Sequence, residues 1–411
     1  MRTASYFAAA VLSACAPLSA QSVGETLPPW SEGVLDIHQI HTGRGNAALL
    51  IFPDGTSLLV DAGDGNPEPP RGAERAPDAS RRSGEWVARY ARRMLAEDDE
   101  PALDYGFSTH FHGDHLGSLT DDAATSTMGS YKLTGLTEVA EHIPIRMMLD
   151  RGWPDYDYPR PLDNPMMENY RRFLAAQQER HDMRVARLLP GRSDQIVLRR
   201  NPEGYPSFRV RNLAANGEVW TGTNDETKQH FPPRAETPEE DWPTENQSSM
   251  AIRVNYGPFD FYTGGDMPGL PRPGLPRWHG IEIPVARAAG PVDVAVLNHH
   301  GLGDANTEAF VRALQARVWI VPSRAAGHPD RWVLGRLVST RLYPGARDIF
   351  SLTLQAATRQ IIGAPLDALS SNDGHIVVRV APEGVSYQVI IVDASSEVGT
   401  IKAVHGPFRA R

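Results

Sequence analysis

The chain has 411 residues, 41% of them hydrophobic and 22% charged, with a formal net charge of -9. That apolar content excludes wholesale disorder, and the acidic balance argues against a protein whose main task is gripping nucleic acid. The single cysteine, Cys15, excludes an internal disulfide and leaves no thiolate to build a metal site.

In chain order, residues 1–20 read as an export signal. Met1-Arg2 is a minimal basic start, and the apolar run from Ala4 to Leu12 is too short to span a bilayer. Leu12-Ser13-Ala14-Cys15 has the form of a lipobox, with Cys15 as the lipidated mature terminus. Leu18-Ser19-Ala20 before Gln21 is the competing cleavage site. A lone cysteine at a lipobox is the more specific signal. Either reading predicts an exported protein, periplasmic or on the outer surface, touching a membrane only through a lipid on Cys15. Residues 21–33 are expected to be a linker, and the folded domain is expected to run from 34 to 411.

Residues 34–40 alternate apolar and polar side chains and predict a strand, with His38 and His41 read as structural. A glycine turn, Gly43-Arg44-Gly45-Asn46, separates it from a second strand at 47–52. Asp54-Gly55 then predicts a hairpin into 56–61, which ends in Asp61-Ala62-Gly63. Trp86, Val87, Tyr90 and Met94 have helical spacing and predict a helix over 83–96. A short buried strand is expected at 103–109. From about 120 to 245 the patterning weakens, apart from a helix at 165–181 and strands at 205–213 and 218–221. Residues 150–245 are therefore read as a long insertion covering the site. Strands at 250–256 and 259–263 form a second hairpin ending in Gly264-Gly265-Asp266. A buried strand at 292–297 runs into Asn298-His299-His300-Gly301, a helix is expected at 307–314 and a strand at 318–322, and a hairpin at 375–380 and 386–392 closes the chain.

The chemistry gathers at His110-Phe111-His112-Gly113-Asp114-His115, which holds four metal-capable side chains in six positions. Residues i and i+2 of an extended segment point the same way, so His110 and His112 can hold one ion. Gly113 turns the backbone, and Asp114 and His115 then open a helix facing a second ion. Imidazole with carboxylate is the donor set expected for zinc or a similar transition ion. Two further predicted strands end in the same residue types, at Asp266 and at His299-His300.

This combination resembles the metallo-β-lactamase fold superfamily. The hexapeptide, the Asp61-Ala62-Gly63 strand end, Gly264-Gly265-Asp266 and the late histidine pair occur in that superfamily's order, over about residues 34–325. The Gly43-Arg44-Gly45-Asn46-Ala47 turn and His299-His300-Gly301 narrow the resemblance to ComEC-type competence-protein hydrolase domains and bacterial choline-phosphate esterases. The resemblance implies an α/β fold, an αββα sandwich of two mixed sheets face to face with helices outside. It implies that His110 and His112 bind a first ion, Asp114 and His115 a second, and that Asp266 bridges them. His300 would complete the second position, and His299 would donate a proton or contact phosphate. Asp61 would accept hydrogen bonds from the loop carrying the hexapeptide. The expected cofactor is zinc, as two ions, with manganese or iron as alternatives.

One departure matters. Many superfamily members carry a further ligand histidine about twenty residues before the bridging aspartate; here that stretch is Glu245-Asn246-Gln247-Ser248-Ser249. Asn246 is expected to approach the first ion through its amide oxygen or to act from behind, and the first position is expected to be the weaker. His142, His181 and His230 are conceivable replacements, each read as an ordinary polar residue. Arg151 is a candidate contact for an anionic substrate, against the favoured reading of a solvated side chain.

Two ions about 3.5–4 Å apart can share a water and generate hydroxide near neutral pH. The sequence thus predicts an exported metal-dependent hydrolase cleaving a phosphoester or phosphodiester in a small molecule or surface polymer, with Asp114 and His299 closest to the chemistry. The alternatives are a lactone or β-lactam hydrolase, an extracellular nuclease, and a metal-binding scaffold without activity.

Overall fold

The computed structural model describes residues 21–65, 71–96 and 100–411, so the export-signal and Cys15 expectations lie outside the described residues. Two nine-stranded mixed sheets form the molecule, with helices around them. The first sheet takes its strands from both ends of the chain. These are β1 (Leu35–Gln39), β2 (Ala47–Ile51), β3 (Ser57–Ala62), β4 (Tyr105–Phe107), β5 (Met147–Asp150) and β6 (Arg184–Arg187), joined by β16 (His375–Val380), β17 (Ser386–Val392) and β18 (Ile401–Arg409). Their spatial order is β18-β17-β16-β1-β2-β3-β4-β5-β6.

The second sheet is built from the middle of the chain. It contains β7 (Phe208–Ala215), β8 (Glu218–Trp220), β9 (Thr227–Gln229), β10 (Ala251–Tyr256), β11 (Phe259–Gly264), β12 (Val294–Val296), β13 (Val318–Val321), β14 (Asp348–Ser351) and β15 (Leu369–Ser371). The order is β15-β14-β13-β12-β11-β10-β7-β8-β9.

The layers follow from the two-residue period of the strands. In β2, Ala48 and Leu50 face a core shared by both sheets, while Ala47, Leu49 and Ile51 face the opposite way. In β13, Val318 and Ile320 join the same shared core, while Trp319 and Val321 face outward. The outer face of the first sheet is covered by α1 (Ser83–Met94), α2 (Gly135–His142) and α3 (Pro165–His181). That of the second is covered by α4 (Glu282–Ala289), α5 (Glu308–Leu314) and α6 (Arg331–Val338). Both faces of each sheet are thus buried, which is why most strands read as near-continuous apolar runs.

Residues 150–245, read as an insertion, supply β6 to the first sheet and β7, β8 and β9 to the second, with β7 paired to β10 along its length. Their pattern looked weak because β6 is an edge strand with exposed Arg184 and Arg187, and β8 and β9 are three residues each. Residues 21–33, expected to be a linker, make contacts with the rest of the fold. Leu27 is buried, its amide donates to Gly399 O, and the Trp30 amide donates to Met94 O, so the stretch is docked on the outer face of the first sheet. Among the described residues, no helix is long and apolar enough to cross a membrane.

The arrangement of parallel strands positions the site. β3, β4, β5 and β6 are parallel in one sheet, and β11 to β15 are parallel in the other. Asp61 lies next to the last residue of β3, the hexapeptide follows β4, Asp266 follows β11 and His299-His300 follow β12. Carboxyl ends of parallel strands are where open α/β sheets gather functional loops.

Candidate metal centre

Asp61 and Thr109 set the geometry of the first loop. Asp61, the penultimate residue of β3, sits in the left-handed region at φ 58° and is fully buried. Its Oδ1 accepts the Thr109 amide at 2.7 Å, and its Oδ2 accepts the Thr109 hydroxyl at 2.8 Å and the Asn46 amide nitrogen at 2.9 Å. The same Oδ2 lies 2.8 Å from His115 Nδ1. Asp61 therefore accepts hydrogen bonds from the hexapeptide loop, and from one of its histidines.

The Gly43-Arg44-Gly45-Asn46 turn acts on the same loop. The Asn46 amide donates to Asp114 O at 2.8 Å, and a Cβ placed on Gly63 would lie 1.8 Å from that oxygen. Only glycine allows the chain after β3 to pass so close to the hexapeptide. After Gly113 the backbone forms one short helical turn, Gly113–Gly117, rather than a regular α-helix. It still directs Asp114 and His115 inward.

Two groups of ligand atoms result, each with all members within 4.8 Å of one another. One is Asp114, His115, Asp266 and His300; the other is His110, His112 and Asp266. His115 Nε2 lies 3.1 Å from Asp266 Oδ1 and 3.2 Å from His300 Nε2, which in turn is 3.0 Å from Asp114 Oδ2. In the other group His110 Nε2 is 3.1 Å from His112 Nδ1 and 3.9 Å from Asp266 Oδ2. A buried His/Asp cluster able to hold a metal ion is thus present, and Asp266 belongs to both halves.

The rings are held from behind. His115 Nδ1 faces Asp61, His300 Nδ1 faces Pro322 O at 2.8 Å, and His110 Nδ1 faces the Thr109 hydroxyl at 3.2 Å. Each outer contact leaves Nε2 aimed at the centre, the arrangement that fixes tautomer and orientation in metal-binding histidines. Ring nitrogens that converge this closely fit a shared cation better than one another.

The electrostatics agree with a site that demands positive charge. Burial disfavours a charged His115, but Asp266, Asp61 and Asp114 outweigh it and hold the imidazole well above its ordinary value. Burial likewise opposes ionisation of Asp266 and Asp114. His115 and His300 overcome this for Asp266, and Arg324 and His115 do so for Asp114, leaving both well below the usual carboxylate range. His110, buried and beside His115, is pushed well below its ordinary value and stays neutral, as a ligand must.

His300 and His299 occupy different places. His300 is 2% exposed and takes part in the four-member group, whereas His299 is outside both groups. Both residues sit in the left-handed region, at φ 53° and 48°, a strained conformation of the kind found at functional loops. His299 Nδ1 lies 2.8 Å from Asp304 Oδ1, and its Nε2 lies 3.8 Å from Asp266 Oδ2. Asn246 Nδ2 approaches that Nε2 at 3.3 Å, which leaves the buried Asn246 Oδ1 without a partner among the described residues.

Arg151 corrects the sequence reading. It is fully buried rather than solvated, and it pairs with Glu245 while donating to Tyr158 O at 2.9 Å and Asn216 Oδ1 at 3.0 Å. A guanidinium so engaged is not a surface contact for substrate. The three spare histidines are not brought to the centre: His181 faces Met128, His230 faces Trp278 O, and His142 ends α2. His38 lies beside Asp36 and Tyr90, away from both ligand groups. His41 is likewise outside both, its Nδ1 accepting the Gly43 amide.

Four residues escaped the sequence reading. Arg324, after β13, pairs with Asp114, and His328 stacks on His300 with ring centroids 4.9 Å apart and planes 3° apart. Asp304 orients His299, and Glu245 accepts the Phe111 amide at 2.7 Å. Only two of these carried a signal, Asp304 closely following the histidine pair and Glu245 adjoining Asn246. No protein-family model matches the chain, and no curated protein sequence is significantly similar to it.

Proposed function

We propose that the protein is an exported, metal-dependent hydrolase of the metallo-β-lactamase type that cleaves phosphoesters or phosphodiesters at a centre of two ions, most naturally zinc. The observation that carries this reading is the sharing of Asp266 between two convergent ligand groups at one end of a two-sheet sandwich. The donor set fits: histidine nitrogens and carboxylate oxygens only, with each buried ring fixed from behind. His110, His112 and Asp266 would hold one ion, and Asp114, His115, Asp266 and His300 the other.

When bound, such ions supply Lewis-acid polarisation of substrate oxygens and activation of water near neutral pH. The chain's residues do the rest. Asp266 and Asp114 keep their negative charge in a buried site because the neighbouring cationic groups stabilise it. His299 Nε2 is the atom placed to take or return a proton, since Asp304 holds the opposite ring nitrogen. Burial disfavours the charged form of His299, but Asp304, Asp266 and Asp114 outweigh it and raise its pKa, as suits a donor to a leaving oxygen. Arg324 and His299 flank the carboxylates with positive charge, which favours an anionic substrate over a lactone or β-lactam.

The test is metal analysis of the purified mature protein, followed by assays on aryl phosphodiesters, phosphomonoesters, lactones and nitrocefin. Bound transition metal with phosphodiester turnover is the expected result. Metal-loaded protein inert towards every one of these substrates would refute the reading.

A further inference from the structure

The first ligand group has three donors and an exposed His112, so the register of His110 and His112 depends on the backbone between them. The side chain that reaches between them is Glu245. Its Oε1 accepts the amide of Phe111, the residue separating the two histidines, at 2.7 Å. The same oxygen accepts Arg151 Nε at 2.8 Å, and Oε2 accepts the second guanidinium nitrogen.

Arg151 has no exposed side-chain surface and is itself fixed on every side. Its Nη1 donates to Tyr158 O and Asn216 Oδ1, Asn216 Nδ2 returns a bond to Arg151 O at 2.7 Å, and the Phe111 ring lies 4.9 Å from its Cζ. A carboxylate gripped by such a guanidinium has no freedom to leave the Phe111 amide. The residue next to Glu245 is Asn246, whose buried Oδ1 has no partner among the described residues. Glu245 thus steadies the backbone between two ligands, and its neighbour Asn246 reaches His299.

We infer that Glu245, held by Arg151, is the positioning residue of the first metal position, fixing the backbone between its two histidines. This rests on the two-ion reading above. It assigns Glu245 no contact with substrate or metal; it acts through the Phe111 amide. The essential feature is a hydrogen-bond acceptor at the right reach, and the negative charge serves only to satisfy Arg151.

That distinction decides the experiment. Removing one partner of a buried ion pair leaves an uncompensated charge, so single variants confuse stability with positioning. Three double variants avoid this. Arg151→Met with Glu245→Gln removes both charges and keeps an acceptor within reach of Phe111. Arg151→Met with Glu245→Leu removes the acceptor, and Arg151→Met with Glu245→Asn withdraws it by one methylene.

Each protein is titrated with zinc and with cobalt, reading stoichiometry by calorimetry and ligand field by the visible cobalt spectrum. The glutamine protein is expected to bind two ions as wild type does. The leucine and asparagine proteins should bind the first ion about 10- to 100-fold more weakly, the usual cost of losing an outer orienting group. Their second position should be unchanged. If the leucine protein does not fold, the asparagine protein carries the comparison.

Wild-type affinity for both ions in the asparagine protein would overturn the inference. So would loss of the first ion from the glutamine protein, or its failure to fold, because charge rather than the acceptor would then be the requirement. A wild-type protein that binds only one ion would instead refute the two-ion reading, a distinguishable failure.

Discussion

Asp114, His115, Asp266 and His300 form a four-donor group, whereas His110, His112 and Asp266 form one of three, and the difference extends to what stands behind each ring. In the four-donor group, His115 is tied to Asp61 and His300 to Pro322 O, and both rings are almost fully buried. In the other, His110 is buried but His112 is exposed, and the contacts that orient the segment include the Thr109 hydroxyl and the Glu245 clasp on Phe111. A closed set of buried donors suits firm retention of an ion. An incomplete, partly open set leaves coordination positions for water and substrate. On the proposed two-ion reading, the two halves would divide retention and access between them, with Asp266 as their common member.

The largest effect should come from breaking that common member. Asp266→Ala is expected to lose both ions and to reduce phosphodiester turnover at least 1,000-fold, on the scale seen when catalytic-metal or charge-stabilising groups are removed. Metal stoichiometry and kcat on an aryl phosphodiester measure it directly. Retention of one tightly held ion would show that Asp266 does not serve both halves.

The next comparison separates the halves. His300→Ala should abolish binding of the firmly held ion, while Asn246→Ala should weaken only the loosely held one, by about tenfold. Competition with a chelator of known affinity reads both. Equal responses would erase the asymmetry.

Asp61→Ala tests the support rather than the ligands. Its carboxylate serves the Thr109 amide, the Thr109 hydroxyl, Asn46 and His115 together. Its loss should weaken the four-donor group about 10- to 100-fold and lower stability by about 1–3 kcal/mol for buried groups left without partners. Calorimetric unfolding of the apo and metal-loaded proteins resolves the two contributions.

The smallest effect at neutral pH concerns a residue that belongs to neither half. His41 is buried, and burial outweighs the attraction of Asp373 to bring it down to about 4. Its unfolded counterpart titrates near 6.5, so the unfolded chain takes up the proton first as pH falls. Stability is therefore complete above about pH 6.5 and declines towards pH 4, by about 3 kcal/mol from this residue. Urea unfolding of the apo protein at pH 7 and pH 4.5, compared with His41→Gln, checks the sign. The His41 and His375 Nδ1 atoms accept the amides of Gly43 and His41, which lead into the turn that clasps Asp114.

Most of the framework was legible because apolar side chains at regular spacing must be buried. The predicted helix at 165–181 and the strands at 375–380 and 386–392 coincide with observed elements. The hairpin of β10 and β11 was equally plain from its Gly257-Pro258 turn. β6 and β9 were not, since exposed or very short strands lack an apolar repeat. The docked stretch 21–33 was missed because a few anchors, Leu27 and Trp30, hold it without a regular period.

For the centre, residue type and spacing alone determined that the hexapeptide can bind metal, since alternating histidines on an extended segment converge. They also singled out Asp61, Asp266 and the histidine pair, because each stands at the end of a recognisable strand. Spacing could not decide between His299 and His300, whose consecutive left-handed backbones send one ring into the cluster and the other towards Asp304. Nor could it reveal that Arg151 is a buried counter-ion. Its partner lies 94 residues away on the other sheet's approach, and only the packing of β5 beside the turn before β10 brings the two charges together. Local chemistry follows from neighbours in the chain; orientation and charge pairing depend on contacts that exist only once both sheets have closed on one another.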